Sequence, residues 1–238
     1  MNISHAGDYE DIFIHEKFFP NKQNGFYIEL GGLDGIYSSN TKIFEDYLNW
    51  TGILIEPHPN AFKKLEKNRP NNNLFNDLIS SETKELQFKY MEGPWDGISG
   101  IVKTLPIMHD YCYFKNKKYA HLNQHIIYIK PKSLSEIVKS TNTKHIDFLS
   151  LDVEGHEFEV LQSWDFSIPI DLIMIEVLDD NNKCQNILKN NNYKYICNLN
   201  GYNDIYILKN SKLDQDYDFQ NTTLNLSEKY PNIKKKYS

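Results

Sequence analysis

Residues 25–35, Gly25-Phe26-Tyr27-Ile28-Glu29-Leu30-Gly31-Gly32-Leu33-Asp34-Gly35, form an apolar run that breaks abruptly into glycines. A run this short, ended by turn residues, predicts a strand buried on both faces and then a tight turn. Before it, residues 8–19 read as a helix with Ile12, Phe13, Phe18 and Phe19 as its apolar stripe, ended by Pro20. After it, Ile43, Phe44, Tyr47 and Leu48 recur at helical spacing, and Ser38, Ser39 or Asn40 can cap that helix. Residues 52–56 make a second strand closed by Pro57 and Pro59. A helix over 61–68 and a weaker strand over 73–77 follow. This alternation predicts a parallel sheet with right-handed crossovers.

The rhythm is interrupted between about residues 80 and 131. Leu86-Gln87-Phe88-Lys89-Tyr90 alternates as an antiparallel strand does, and 98–124 is rich in aromatics and histidine without a clean period. We expect an insertion lying over the sheet as a lid, with Trp95, Tyr111, Tyr113 and Phe114 available to stack on a sugar ring or to form the insertion's own small core. A strand over 125–129 closes it. Beyond, 146–153 and 170–177 are strongly apolar strands, each followed by a helix. Asn200-Gly201 turns residues 193–197 into 204–208 as a hairpin. The expected organisation is one domain over 1–210, carrying that insertion, and a polar, mobile tail over 211–238.

With 238 residues and a net charge of -6, the chain can bury a large core and lacks the broad basic surface of a nucleic-acid binder. The Lys234-Lys235-Lys236 run reads as a solvated end. Cys112, Cys184 and Cys197 have no metal-type spacing, which fits a reduced, cytoplasmic setting. No secretory leader is visible, and no apolar stretch approaches the roughly 20 residues of a membrane span. Nothing in the pattern encodes an oligomeric state.

In an open parallel sheet, ligands bind at the carboxyl ends of strands near the point where strand order reverses. Four such ends carry acids: Glu29 with Asp34, Glu56, Asp77 beside Asn76, and Asp152 with Glu154. Glycines 31, 32 and 35 allow a close backbone approach to a ligand, though a plain tight turn would need them too. A turn built for phosphate would not surround it with carboxylates, whereas a cofactor with an amino group and a sulfonium favours them. The pattern therefore points to S-adenosylmethionine rather than NAD. Cofactor candidates are Glu29, Gly31, Gly32, Asp34, Gly35, Asn40, Glu56, Pro57, Asn76, Asp77 and Asp152, with Glu56 set to accept ribose hydroxyls. Asp152 and Glu154 are the catalytic candidates, for alignment and for proton acceptance. A divalent cation on Asp152, Glu154 and Glu176 is allowed and not required, and no metal ligand is assigned. His156 is expected to cap a helix, and His109, His121 and His125 to be structural or surface residues.

Together, residues 25–35, Ser39-Asn40-Thr41, residues 50–57 and residues 145–157 resemble the FkbM-type methyltransferases. The segment Ser4-His5-Ala6-Gly7 with Glu10-Asp11 is similar to that family's N-terminal segment, with His5 where glutamine is usual, and Gly32 stands where alanine is usual. The resemblance implies a class I methyltransferase sheet: α/β, Rossmann-like, mostly parallel with an antiparallel C-terminal hairpin and helices on both faces. It implies S-adenosylmethionine as donor and a hydroxyl acceptor, often a sugar of a glycan or glycoconjugate. It also implies that Gly31, Gly32, Asp34 and Gly35 line the methionine part, Glu56 the ribose, Asp77 the adenine, and Asp152 with Glu154 the reacting centre. The alternatives are a catalytically silent binding module of the same fold and a metal-assisted O-methyltransferase of a non-sugar small molecule.

Overall fold

The computed structural model describes residues 3–93, 96–119, 121–178 and 182–235. The first half runs β1 (Ile3–Ser4), α1 (Glu10–Phe18), β2 (Phe26–Leu30), α2 (Lys42–Leu48), β3 (Thr51–Ile55), α3 (Pro59–Asn68) and β4 (Asn73–Phe75). Next come β5 (Leu86–Met91), β6 (Gly100–Ile101), the single turn α4 (Ile107–His109) and β7 (Gln124–Ile129). The chain then continues through α5 (Leu134–Ser140), β8 (Ile146–Leu151), α6 (Glu157–Gln162), β9 (Ile170–Glu176), α7 (Asn182–Asn190), β10 (Tyr193–Leu199) and β11 (Asn203–Leu208). It ends in β12 (Thr223–Leu224), α8 (Leu226–Lys229) and β13 (Lys234–Lys235).

One eight-stranded sheet has the order β12-β10-β11-β9-β8-β2-β3-β4. The strands from β9 to β4 are mutually parallel, and β11 runs antiparallel between β9 and β10. This is the expected Rossmann-like sheet with an antiparallel C-terminal hairpin. Its central strands are apolar at nearly every position because both faces are covered. Alternate residues go to opposite sides: Leu54, Leu172 and Met174 pack with α1 and α2, while Ile53, Ile55, Ile173 and Ile175 pack with α5, α6 and α7. Strand order reverses between β2 and β8, so the gap between their carboxyl ends is the place for a ligand.

Residues β5, β6 and β7 form a separate antiparallel sheet in the order β6-β5-β7, with its own core of Leu78, Leu86, Phe88, Tyr90 and Ile101. It leaves and rejoins the main body at one point, where Ile79 bridges Lys132. The segment after residue 210 is not the mobile tail its polarity suggests. Thr223 and Leu224 pair with β10, Lys234 and Lys235 pair with β1, and Phe219, Leu226 and Tyr230 are buried against α1. Widely spaced apolar residues among polar ones hide such a segment from a periodicity search.

Candidate active site

The carboxyl ends of β2 and β8 touch. Gly31 has φ of 80°, and a Cβ there would lie 2.0 Å from the carbonyl oxygen of Asp152. Only glycine lets the two loops meet at this distance. Above the contact opens a cleft of about 300 Å³, walled by Leu33, Ile55, Ile79, Phe88 and Ile101 and edged by Tyr37, Ser38 and Ser99. Of the sequence candidates, Gly31, Glu56, Pro57, Asp77, Asp152 and Glu154 line it.

The remaining candidates, Glu29, Gly32, Asp34, Gly35, Asn40 and Asn76, do not line it, and the structure gives each another task. Glu29 is buried beneath the loop, where its carboxylate accepts from Ser39 Oγ (2.9 Å), Asn40 N–H (2.7 Å) and Thr41 Oγ1 (2.6 Å). Arg69, fully buried, stands 3.8 Å from it. The Arg69 guanidinium also pairs with Glu45 and donates to the Gly35 carbonyl (2.8 Å), Ser39 Oγ (3.2 Å), the Tyr27 hydroxyl (2.6 Å) and Thr41 Oγ1 (3.0 Å). Asp34 accepts from the N–H groups of Ile36 and Tyr37, closing the turn on itself. Asn40 Nδ2 donates to Ser150 Oγ, and Asn76 Nδ2 to the Glu56 carbonyl. Gly32 and Gly35 pack against Leu65 and Arg69 of the helix behind. Glu29 and Asp34, the acids that first pointed to a cationic cofactor, thus build the loop; Glu56, Asp77, Asp152 and Glu154 give the cleft its acidity.

Glu56 accepts from the N–H groups of Leu33 (2.8 Å) and His58 (2.7 Å), which fixes the loop's height above β3. Asp77 pairs with Lys132 at 2.8 Å, where the insertion returns. Asp152 and Glu154 at the cleft and Glu176 at the end of β9 form one cluster, with carboxylate oxygens within 4.8 Å of one another. Burial, then the Glu154 and Glu157 charges, pushes Asp152 well above the usual carboxylate range. Burial, then the Asp152 and Glu154 charges, pushes Glu176 up to about 11. Like charges this close oppose one another's ionisation, and that repulsion adds to burial in raising both groups. The same three groups are a donor set for a hard divalent cation. A second such group, His145, Asp147 and Asp171, lies at the opposite end of the sheet, where Lys22 and the Phe26 N–H already engage Asp147.

Glu154 and Gly155 both take left-handed backbone, with φ of 58° and 94°. Glutamate rarely adopts that conformation, and strain of this kind is concentrated at functional sites. Glu157 holds the turn by accepting from the N–H groups of Val153 and Gly155. His156 stands at the helix N-cap position but its side chain does not cap. It is buried between Ser80 Oγ (3.0 Å from Nε2) and Thr104 Oγ1 (2.9 Å from Nδ1), and burial lowers its pKa to about 4. Neutral His156 therefore ties the insertion to the motif loop. His109, expected to be structural or surface, comes from the insertion to place Nδ1 2.8 Å from Glu154 Oε2. No sequence signal linked two residues so far apart.

Of the aromatics proposed for sugar stacking, Phe114 is buried with Met91 and Leu105, Tyr113 packs against that small core, and Tyr111 is exposed. None of these three lines the cleft, and Trp95 lies outside the described residues. The N-terminal segment is drawn to the site, for Asp11 accepts from Ser4 Oγ and from the N–H groups of His5 and Ala6, and Ala6 bridges Ser38.

The Methyltransferase FkbM domain matches residues 29–195, from the end of β2 into β10. The chain belongs to the FkbM methyltransferase family. The FkbM domain here thus includes the glycine loop, the whole insertion and the acidic cluster, and membership implies S-adenosylmethionine as donor. Among solved structures, the chain is similar to a precorrin-6y C5,15-methyltransferase from Geobacter metallireducens GS-15, at 10% identity and a TM-score of 0.40, covering 83% of this chain and 87% of that one. It is also similar to a SAM dependent methyltransferase from Aquifex aeolicus, at 9% identity and a TM-score of 0.39, covering 85% of this chain and 93% of that one. No curated protein matches significantly. Among the described residues, no helix is long and apolar enough to cross a membrane.

Proposed function

We propose that this FkbM methyltransferase methylates a hydroxyl oxygen, that of a sugar in a glycan or glycoconjugate. The observation that carries the proposal is the floor of the cleft, where Glu154 meets His109 beside Asp152 and Glu176. S-adenosylmethionine supplies a methyl group already activated by its sulfonium. A floor of carboxylates suits that positive charge, and the donor set fits the rest of the cofactor. Gly31 would sit against the methionine part, Glu56 would accept the ribose hydroxyls, Asp77 would face the adenine amine, and Asp152 would lie under the cationic end. An attacking hydroxyl must lose its proton, and Glu154, held beside His109, would take it. Tyr37, Ser38 and Ser99 at the rim offer the hydrogen bonds a polyhydroxylated acceptor needs.

The three clustered carboxylates favour one second reading, metal-assisted O-methylation of a non-sugar small molecule. A silent binding module would have no need of three mutually repelling carboxylates held together. The test is to incubate the protein with methyl-labelled donor and a panel of monosaccharide glycosides and simple phenols, then locate the label by mass spectrometry. Label on a sugar oxygen is expected, unaffected by chelator. Glu154→Gln should slow turnover about 10²–10⁴-fold while leaving affinity for the demethylated cofactor within a few fold. Label on nitrogen or carbon, or chelator-sensitive transfer to phenols alone, would overturn the proposal.

A further inference from the structure

Residues 101–119 pack beside the cleft through Thr104 on His156 and His109 on Glu154, and their two faces differ. The inner face is fixed: Leu105 and Phe114 are buried with Met91, Thr104 is bonded to His156, and His109 reaches Glu154. The outer face presents Ile107 at 86% exposure, Met108 at 65% and Tyr111 at 68%, with Val102 exposed beside them. Large aliphatic side chains this bare on a short ordered turn mark an interaction surface. The same stretch contains Lys103, Lys115, Lys117 and Lys118 against the single acid Asp110, in a chain whose net charge is -6. Lys103 pairs with Glu82 and Lys115 with Asp110, while Lys118 lies 5.3 Å from the Tyr119 ring centroid.

We propose that residues 101–119 dock the protein on an anionic lipid bilayer, seating Ile107, Met108 and Tyr111 among the headgroups and Lys117 and Lys118 against their phosphates. Apolar tips interleaved with lysine are the pattern of an interfacial anchor, in which buried area and charge attraction act together. A second copy of the chain is disfavoured, because an isologous contact would bring the lysines of both copies face to face. Nucleic acid would use the lysines and leave Ile107 and Met108 without a partner. The docking stands independently of the acceptor proposed above. Combined with it, the docking makes a lipid-linked sugar the acceptor class.

The experiment is co-sedimentation of the full chain with vesicles of phosphatidylcholine alone, or of phosphatidylcholine and phosphatidylglycerol at three to one. Partition into the anionic vesicles, falling with salt, is expected, with little into the neutral ones. Ile107→Ser with Met108→Ser should lower partition about tenfold or more, and Lys117→Gln with Lys118→Gln by about thirtyfold. Both variants should keep wild-type affinity for the demethylated cofactor, which shows that the cleft is folded. The proposal is overturned if wild type stays in the supernatant, or if the variants partition as wild type does. It is equally overturned if wild type prefers an oligonucleotide to the vesicles, or is a dimer that these substitutions dissociate.

Discussion

Removing the Arg69 side chain tests whether the glycine loop after β2 rests on a buried charge network. Arg69→Met keeps most of the volume and deletes the cation 3.8 Å from Glu29, the same guanidinium that pairs with Glu45. Breaking a buried ion pair by removing one partner costs about 3–5 kcal/mol, because the other charge is left uncompensated. The lower end applies here, since Glu29 keeps its donors on Ser39, Asn40 and Thr41, and the Glu45 side chain is 17% exposed. A chain of this length unfolds with an entropy of about 0.5 kcal/mol per kelvin, so a loss of about 3 kcal/mol lowers Tm by about 6 °C. Thermal unfolding followed by circular dichroism gives the value directly. Adding Glu29→Gln should restore part of the loss, because it removes the stranded charge. The Gly35 carbonyl also loses its donor, so affinity for the demethylated cofactor should fall in the single variant. If Arg69→Met melts within about 2 °C of wild type, or if Glu29→Gln deepens the loss, the charge-network argument is wrong.

Gly31→Ala would put a methyl group against the Asp152 carbonyl, at 2.0 Å in the unrelaxed backbone. Calorimetry should show cofactor binding abolished even where circular dichroism shows a folded protein, and unchanged binding would refute the close approach. A pH series tests the buried acids. Burial raises Glu10 and Glu157 from 4.5 to about 7 and Asp11 from 3.8 to about 6, so the folded state holds protons that the unfolded chain has released. Their contribution to stability is complete below the unfolded values and is lost as pH rises through about 6–7. Above pH 6.5 His156, lowered to about 4, no longer opposes this trend. Tm should therefore fall between pH 6.5 and pH 8, and Glu157→Gln should flatten the slope; a Tm that rises over that interval contradicts the assignment.

The central strands are legible in the sequence because they are covered on both faces and so read as mainly apolar runs, as in Ile146–Leu151, where only Asp147 and Ser150 interrupt. The acids that line the cleft were legible because strand ends have a fixed relation to the switch point. The tasks of Glu29 and Asp34 were not, since Arg69, the partner that buries Glu29, lies forty residues further on and looks like an ordinary helix end. Thr104 and His109 are positioned by contacts with His156 and Glu154, and tertiary pairing of that kind leaves no periodic trace. The closing segment escaped for a related reason: Phe219, Leu226 and Tyr230 are few, and each fills a gap over α1 that only the folded domain creates.

The junction at Ile79 and Lys132 has a consequence for how such a protein changes. The Ser80 N–H donates to the Lys132 carbonyl and the Lys132 N–H to that of Leu78, so the insertion departs and returns through adjacent backbone. Everything between those two points could be exchanged for another loop of similar end spacing without cutting a strand of the main sheet. Gly31, Glu56 and Asp152 would stay where they are. The chain is in this sense two parts with different freedoms: a fixed sheet that carries Gly31, Glu56 and Asp152, and a replaceable cassette joined to it at a single seam.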